Sequence, residues 1–381
     1  MVETQQSAVA RDIAGDSPRG PWAHVADADW NDWRWQQRNR LRTAEALERV
    51  VRLTDDERQA IAATRDEFRM AVTPYYAALM DPDDPRCPIR AQAVPRMVER
   101  DRGPHDLDDP LGEEAEMPVP GITHRYPDRV LFYVSHNCPV YCRHCTRKRK
   151  VSDPGTAADH DQLALGLAYI AAHPEVRDVI VSGGDPLTLS DERLDALLGA
   201  LRAIPHVEVI RLGTRNPVTL PQRLTPELVR RLAAHHPVYV HTHFNHPREC
   251  TPEAARCLRL LADHGFNVGN QMVLLRGVND DAELVRAVNL WLLRQRARPY
   301  YLLQADLAVG TGHFRTPLGT GLAILERLRG HSSGLAVPHF IVDAPGGGGK
   351  ITLVPDLIEE EDDDRIVFRT FKGERYTYPK R

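Results

Sequence analysis

Three cysteines in the run Cys138-Pro-Val-Tyr-Cys142-Arg-His-Cys145 constrain this chain more than any other feature. The CxxxCxxC spacing puts three thiols on one tight loop. Three thiolates can hold three irons of a [4Fe–4S] cube and leave the fourth iron without a protein ligand. A fully ligated electron-transfer cluster takes four cysteines, and a structural zinc site is likewise closed by four ligands. No fourth cysteine lies nearby, so the fourth iron is open to a small molecule. The competing reading is a zinc knuckle completed by His144 or His136. The loop directly follows an apolar run at 130–135, which sets it at the C-terminal end of a strand.

The bulk properties narrow the surroundings. A chain of 381 residues forms one large domain with appendages, or two domains. A net charge of -4 gives no argument for nucleic acid as a partner. The longest apolar stretches are too short to span a bilayer, and residues 1–20 lack the apolar region of a secretory signal. Six cysteines in a chain this long are not a disulfide framework. Cys87 stands alone, while Cys250 and Cys257 share one helical face and read as buried small hydrophobes. A reducing, cytoplasmic setting is expected.

Along the chain, residues 1–28 read as disordered or loosely docked. Trp30, Trp33 and Trp35 then lead into apolar residues at helical spacing, Leu41, Ala44, Leu47 and Val51, and Thr54-Asp-Asp-Glu57 reads as a capping box. Two or three helices should fill the stretch to about residue 80, followed by an irregular wrapping segment rich in Pro and Asp up to residue 120. From residue 129 strands and helices alternate. The strand candidates are 130–135, 179–182, 207–212, 238–242, 268–274 and 300–304. Thr225-Pro-Glu and Thr251-Pro-Glu open two of the intervening helices with Thr as N-cap and Pro at the first helical position. Six β–α units predict a parallel sheet curved into a partial barrel, with chemistry at the C-terminal strand ends; a doubly wound sheet is the alternative. The tail adds a strand at 339–342, an acidic run at 359–364 read as a solvated loop, and a hairpin around Lys372-Gly373.

Further motifs fall at strand ends. Ser182-Gly183-Gly184-Asp185 closes the second strand, where glycines allow close backbone approach to a ligand. His241-Thr-His243-Phe-Asn-His246 closes the fourth; His241 and His243 share a strand face, and His246 reads as structural. Asp343-Ala-Pro-Gly-Gly-Gly-Gly-Lys350 is not a P-loop, because Ile351 stands where Ser or Thr should bind magnesium. Four glycines beside a lysine suit a Schiff base, which needs a mobile amine, and pyridoxal phosphate (PLP) is the cofactor that forms one. Arg125-Tyr126-Pro-Asp-Arg129 offers two guanidiniums for a phosphate.

The cysteine loop followed by the Ser-Gly-Gly-Asp run resembles the radical S-adenosylmethionine (SAM) enzymes. Taken with residues 27–35, 123–129, 142–147, 242–247, 313–317 and 343–350, the chain from about residue 25 onward resembles the lysine 2,3-aminomutase family. The resemblance implies an α/β fold: a radical SAM partial (β/α)6 barrel over residues 121–335, a helical N-terminal region at 29–120, and a C-terminal PLP-lysine segment and hairpin at 336–381. It implies that Cys138, Cys142 and Cys145 ligate the cluster and that Lys350 carries PLP, with Arg125, Tyr126 and Arg129 contacting that cofactor. Ser182, Gly183, Gly184, Asp185, His243 and Gln271 are implied to lie against SAM. Arg147 would pair with the substrate α-carboxylate, and Asp306 and Asp343 with its distal ammonium. The implied reaction starts with reductive cleavage of SAM and moves the amino group of L-lysine from C2 to C3, giving L-β-lysine. A reductant such as flavodoxin or ferredoxin and a homo-oligomeric assembly are the implied partners. The cysteine-rich zinc tail of clostridial members is not expected, since no cysteine follows Cys257.

Three rivals remain at this stage. An aspartate pair accepts a guanidinium as readily as an ammonium, so free arginine is a second substrate candidate, and a lysine side chain of a translation factor is a third. A non-catalytic iron–sulfur or zinc-binding protein is the rival from another class.

Overall fold

A computed structural model describes residues 19–380 except 66, 152, 154, 156 and 157. The expected disorder at 1–18 lies outside the described residues. Residues 19–28 carry a 3-10 turn at Gly20–Trp22 and the start of the helix Asp27–Trp30. Trp22 and Val25 pack on the main core, and Trp22, Trp30 and Trp35 lie ring against ring. The N-terminal helices are more numerous and shorter than the spacing suggested: Trp33–Arg38, Ala44–Leu47, Asp55–Ala63, Pro74–Ala77 and Pro88–Ala93 follow. Asp55–Ala63 opens on the Thr54–Glu57 capping box.

The centre is a nine-stranded sheet: β1 (Ile122–Tyr126), β2 (Arg129–Ser135), β3 (Asp178–Gly183), β4 (Val209–Gly213), β5 (Val238–Thr242), β6 (Asn267–Leu274), β7 (Ala297–Gln304), β8 (His339–Ala344) and β9 (Gly349–Leu353). The strands lie in chain order across it. Strands β2 to β8 pair in parallel, while β1 and β9 pair antiparallel at the two edges. This order excludes the doubly wound alternative. Every crossover steps the same way, and right-handed crossovers that never reverse direction put all helices on one face. The sheet therefore curls, with helices outside and its other face enclosed.

Burial follows that geometry. The strand residues that meet the helices, such as Val181, Leu212, Val240 and Met272, are buried, and the alternate ones are only half-buried, as the patterns along β4, β5 and β6 show. Ser182, Arg211, His241 and Gln271 thus share the inner face. The inner face is only half-buried and mixes polar side chains with apolar ones such as Ile180 and Val273. The flanking helices start where small polar side chains satisfy their first N–H groups: Asp159, Ser190, Thr225, Thr251 and Asp281 each accept from the first turn.

The tail departs from expectation at one point. The acidic run is a loop only in its second half: residues 362–364 form a turn, while Ile358–Glu361 is an edge strand, β10, of a separate three-stranded meander with β11 (Arg365–Arg369) and β12 (Arg375–Pro379). Its carboxylates pair across the meander with Arg365, Arg369, Arg375 and Lys380. The turn between β11 and β12 is the hairpin expected around Gly373. No helix among the described residues is long and apolar enough to cross a membrane.

The helix His160–Ala172 packs on the strand that carries the cysteine loop. A Cβ at Gly166 would stand 2.5 Å from the Phe132 ring, which is fully buried. In a helix, Gly→Ala ordinarily stabilises by roughly 0.5–1 kcal/mol. Here Gly166→Ala should instead destabilise by about 1–3 kcal/mol through overpacking; urea unfolding compared with the parent checks the sign.

Candidate active site

The cysteine loop leaves β2 and is gripped by the N-terminal region. Arg40 Nη1 donates to the Cys138 carbonyl at 2.6 Å, Tyr141 N–H to Ala71 O at 3.0 Å, and Arg143 N–H to Gln92 O at 2.9 Å. The Arg143 guanidinium is buried against Glu99, at 2.6 Å, and the Phe68 carbonyl. Phe68, Ala71, Tyr141 and Val151 form a small apolar cluster over Cys138 and Cys145. The other side of the loop rests on the second motif. A Cβ at Gly183 (φ 125°) would fall 2.5 Å from Ser135 O, and one at Gly184 2.6 Å from Asn137 O. These glycines are required because the cysteine loop itself lies against them.

Burial pushes the Cys138 thiol up, with Asp185 and the other two thiols adding to it, and pushes Cys145 up to about 11, with Cys142 adding. Two such buried groups become thiolates only beside a strong positive charge. Three thiols on one loop, with no fourth cysteine near them in the sequence, form a donor set that fits a cluster, which takes each thiolate on a different iron. Arg215 Nη1 donates to Cys142 Sγ at 2.8 Å, which turns a fixed cation toward the site.

The remaining strand ends point into the same space. Asp185 is buried; its oxygens accept from Leu187 N–H, the Thr214 hydroxyl and Arg215 N–H at 2.8–3.0 Å. Ser182 lies on the inner face of β3. After β5, His243 Nδ1 donates to the Gln271 carbonyl at 2.6 Å, leaving Nε2 as an acceptor. Burial and the Arg215 charge lower its pKa to about 4, so the ring is neutral at pH 7. The His241 ring lies tilted against that of Tyr300, centroids 5.2 Å apart. His246 accepts from Arg248 N–H at 3.1 Å and caps the turn Pro247–Glu249, a structural role.

Lys350 and Asp343 face each other across the β8–β9 pair. The connecting glycines take left-handed angles, φ 71° at Gly346, 97° at Gly347 and 84° at Gly349. The run is thus needed for a tight turn that puts the lysine in register with the aspartate. Lys350 Nζ lies 2.6 and 2.8 Å from the Asp343 oxygens. Its N–H donates to the Tyr126 hydroxyl at 2.9 Å, and the Arg129 guanidinium stacks 3.8 Å over the Tyr126 ring. The amine, the ring and two guanidiniums, Arg125 and Arg129, form a cradle that fits PLP. Lys148, just after the cysteine loop, is tied to Glu99 and the Gly310 carbonyl.

Asp306, just after β7, lies within electrostatic reach of Asp343, Lys350, Arg147 and Glu113. Burial and then the Asp343 charge push its carboxyl up to about 7. The structure adds two residues that the motifs did not mark. Glu113, in the wrapping segment, holds Arg147 through bonds of 2.6–3.1 Å. Arg215 follows the end of β4. For Arg215 a signal existed: every other strand end had supplied a candidate.

A strand-ordered, singly wound β/α sheet with this three-cysteine loop after its first parallel strand defines a radical SAM enzyme. Residues 132–288 match the radical SAM superfamily, and residues 325–381 match the family described as lysine-2,3-aminomutase. The L-lysine 2,3-aminomutase of Clostridium subterminale is 50% identical over 354 residues, 93% of this chain and 85% of that protein. That of Bacillus subtilis is 47% identical over 359 residues, 94% of this chain and 76% of that protein. The glutamate 2,3-aminomutase of Clostridioides difficile is 43% identical over 347 residues, 91% of this chain and 82% of that protein. The chain belongs to the lysine 2,3-aminomutase family, whose cofactors are a [4Fe–4S] cluster, SAM and PLP.

Asp306 generates a pH dependence. Its carboxyl titrates near 7 in the folded chain and near 4 when unfolded. The folded state therefore holds a proton that the unfolded state has lost between about pH 4 and 7, and stability from this group falls as pH rises through that window. Asp306→Asn should flatten that part of the unfolding free energy against pH for the cofactor-free protein. An unchanged slope would place the proton elsewhere.

Proposed function

We propose that this enzyme is an L-lysine 2,3-aminomutase that interconverts L-lysine and L-β-lysine. One observation carries the choice of a dibasic substrate: Asp343 already holds an alkylammonium, that of Lys350, at 2.6 Å, with a second carboxylate, Asp306, beside it. A site with two carboxylates at one end and the Arg147 guanidinium within their field suits a molecule with an ammonium at one end and a carboxylate at the other. A glutamate side chain would be repelled from the acidic end.

When bound, the cluster, SAM and PLP supply the radical and the electron-accepting ring over which the amino group moves. The protein's share is placement and exclusion of water. Cys138, Cys142 and Cys145 are the cluster ligands, with Arg215 donating to the second. Ser182, the glycines 183–184 and Gln271 line the SAM side, and Asp185 braces that backbone through its own hydrogen bonds. His243 offers a neutral Nε2 to a donor of SAM. Arg125, Tyr126 and Arg129 take PLP, and Lys350 is its amine. Arg147 takes the substrate carboxylate, and Asp306 and Asp343 the distal ammonium. When Lys350 and the substrate ammonium are both in the pocket, two carboxylates meet two cations, and Asp306 gives up its proton.

A reductant of the flavodoxin or ferredoxin kind, a homo-oligomeric assembly and a cytoplasmic setting complete the reading. The last is supported by six cysteines that are all unpaired.

Two measurements test this. Anaerobic incubation with SAM, PLP, a reductant and lysine, arginine or glutamate in turn should convert lysine to β-lysine fastest; preference for arginine would keep the pocket and change the substrate. Borohydride treatment of the PLP-loaded protein should fix the cofactor on the peptide containing Lys350, and a label on Lys148 would overturn that assignment.

A further inference from the structure

We propose that the acidic strap at residues 108–116 is a fixed part of the binding site, gripping one edge of Arg125 and one edge of Arg147 so that their other edges face the ligands. The proposal rests on the reading of those two arginines given above, and it adds Glu113 and Glu116 as positioning residues.

The two guanidiniums are held in the same way. Arg147 Nε donates to both Glu113 oxygens at 2.8 and 3.1 Å, and its Nη2 to Oε1 at 2.6 Å. Arg125 Nε donates to Glu116 Oε2 at 2.6 Å, and its Nη2 to the Leu111 carbonyl. Each spends its Nε–Nη2 edge on the strap. Among the described residues neither Nη1 bonds the protein. A guanidinium has five N–H donors in one plane, so each arginine keeps an Nη1–Nη2 edge of the shape that a carboxylate or phosphate takes bidentately.

The strap is built to stay in place. Glu113 is buried, and although burial would raise its carboxyl, the Arg147 charge holds it below the usual range. The strap also braces the turn before Lys350. Gly346 N–H donates to Pro110 O at 3.1 Å, and a Cβ at Gly112 would fall 2.9 Å from the Gly346 carbonyl. Its outer side is anchored by Arg149, which donates to Asp108 O at 2.9 Å and Glu114 at 3.1 Å. One short segment thus sets both anion-binding arginines and the glycine turn. The opposite reading is a plug whose carboxylates stand in for the ligand anions, and the binding measurements below separate the two.

The experiment compares Glu113→Gln and Glu116→Gln with Arg147→Gln and Arg125→Gln, checking each for the parental circular dichroism. Losing a hydrogen bond to a charged group corresponds to about a tenfold change. Glu113→Gln should raise the KM for lysine about tenfold, change kcat less, and leave PLP affinity of the cofactor-free chain, read by absorbance titration, unaltered. Glu113→Asp should recover part of the loss. Glu116→Gln should weaken PLP binding about tenfold, and this arm stands without any turnover. Unchanged or tighter lysine binding in Glu113→Gln overturns the proposal, and the tighter result identifies a plug. If Arg147→Gln itself leaves the KM unchanged, or Arg125→Gln the PLP affinity, the underlying role of that arginine falls instead.

Discussion

One buried guanidinium holds the parts of this enzyme in relation to one another. Arg215 donates to Cys142 Sγ, to the His243 carbonyl at 3.1 Å, to Gln92 at 2.6 Å and to Glu249 at 2.8 Å. Those partners come from the cysteine loop, the end of β5, the N-terminal helices and the turn before the helix Pro252–Asp263. Glu249 is fully buried and also accepts from Tyr76, Gln92, Asn245 and His246. Removing one partner of such a pair typically costs about 3–5 kcal/mol, because the other charge is left uncompensated. The network is therefore closed, and the thiol at its edge inherits a fixed position.

That arrangement explains why a barrel enzyme carries a hundred residues ahead of its first parallel strand. A loop of backbone between Ser135 and Cys145 has amide groups that need partners. The sheet supplies some through Gly184 and Asp185, whose N–H groups bond Ser135 and Asn137 carbonyls. Others come from the N-terminal region, where Arg40 bonds the Cys138 carbonyl and the carbonyls of Ala71 and Gln92 take the Tyr141 and Arg143 amides. The N-terminal region is thus the second jaw of a clamp, with the curved sheet as the first.

The parallel strands were legible in the sequence because each has an apolar run of Val, Ile or Leu between turn signals, and because a buried outer face alternating with a polar inner face leaves a readable period. The edge strands were not. Ile122–Tyr126 is mostly polar and is paired only through a turn at Pro127 and Asp128, and Gly349–Leu353 starts inside a glycine run that reads as loop. Residues 358–361 carry consecutive acids whose strand state depends on arginines across the meander. Candidates were legible where they sit at a strand end: position nominated Cys138, Ser182 and His243, and the family resemblance added Asp306 and Asp343. Pairings were not. Glu113 meets Arg147 across 34 residues and Arg215 meets Cys142 across 73, and no local pattern says which acid or thiol a given arginine will reach.

The hydrogen bond from Lys350 N–H to the Tyr126 hydroxyl joins β9 to β1, the two ends of a sheet that backbone pairing leaves unjoined. The seam of the barrel therefore runs through the proposed cofactor cradle, with Arg125 and Tyr126 on one lip and Lys350 on the other. A molecule gripping both lips would act as a strut across this unlaced side of the sheet. By mass action, its occupancy adds directly to the free energy of unfolding. On that reading the cofactor would be a structural member of the sheet as well as a reagent.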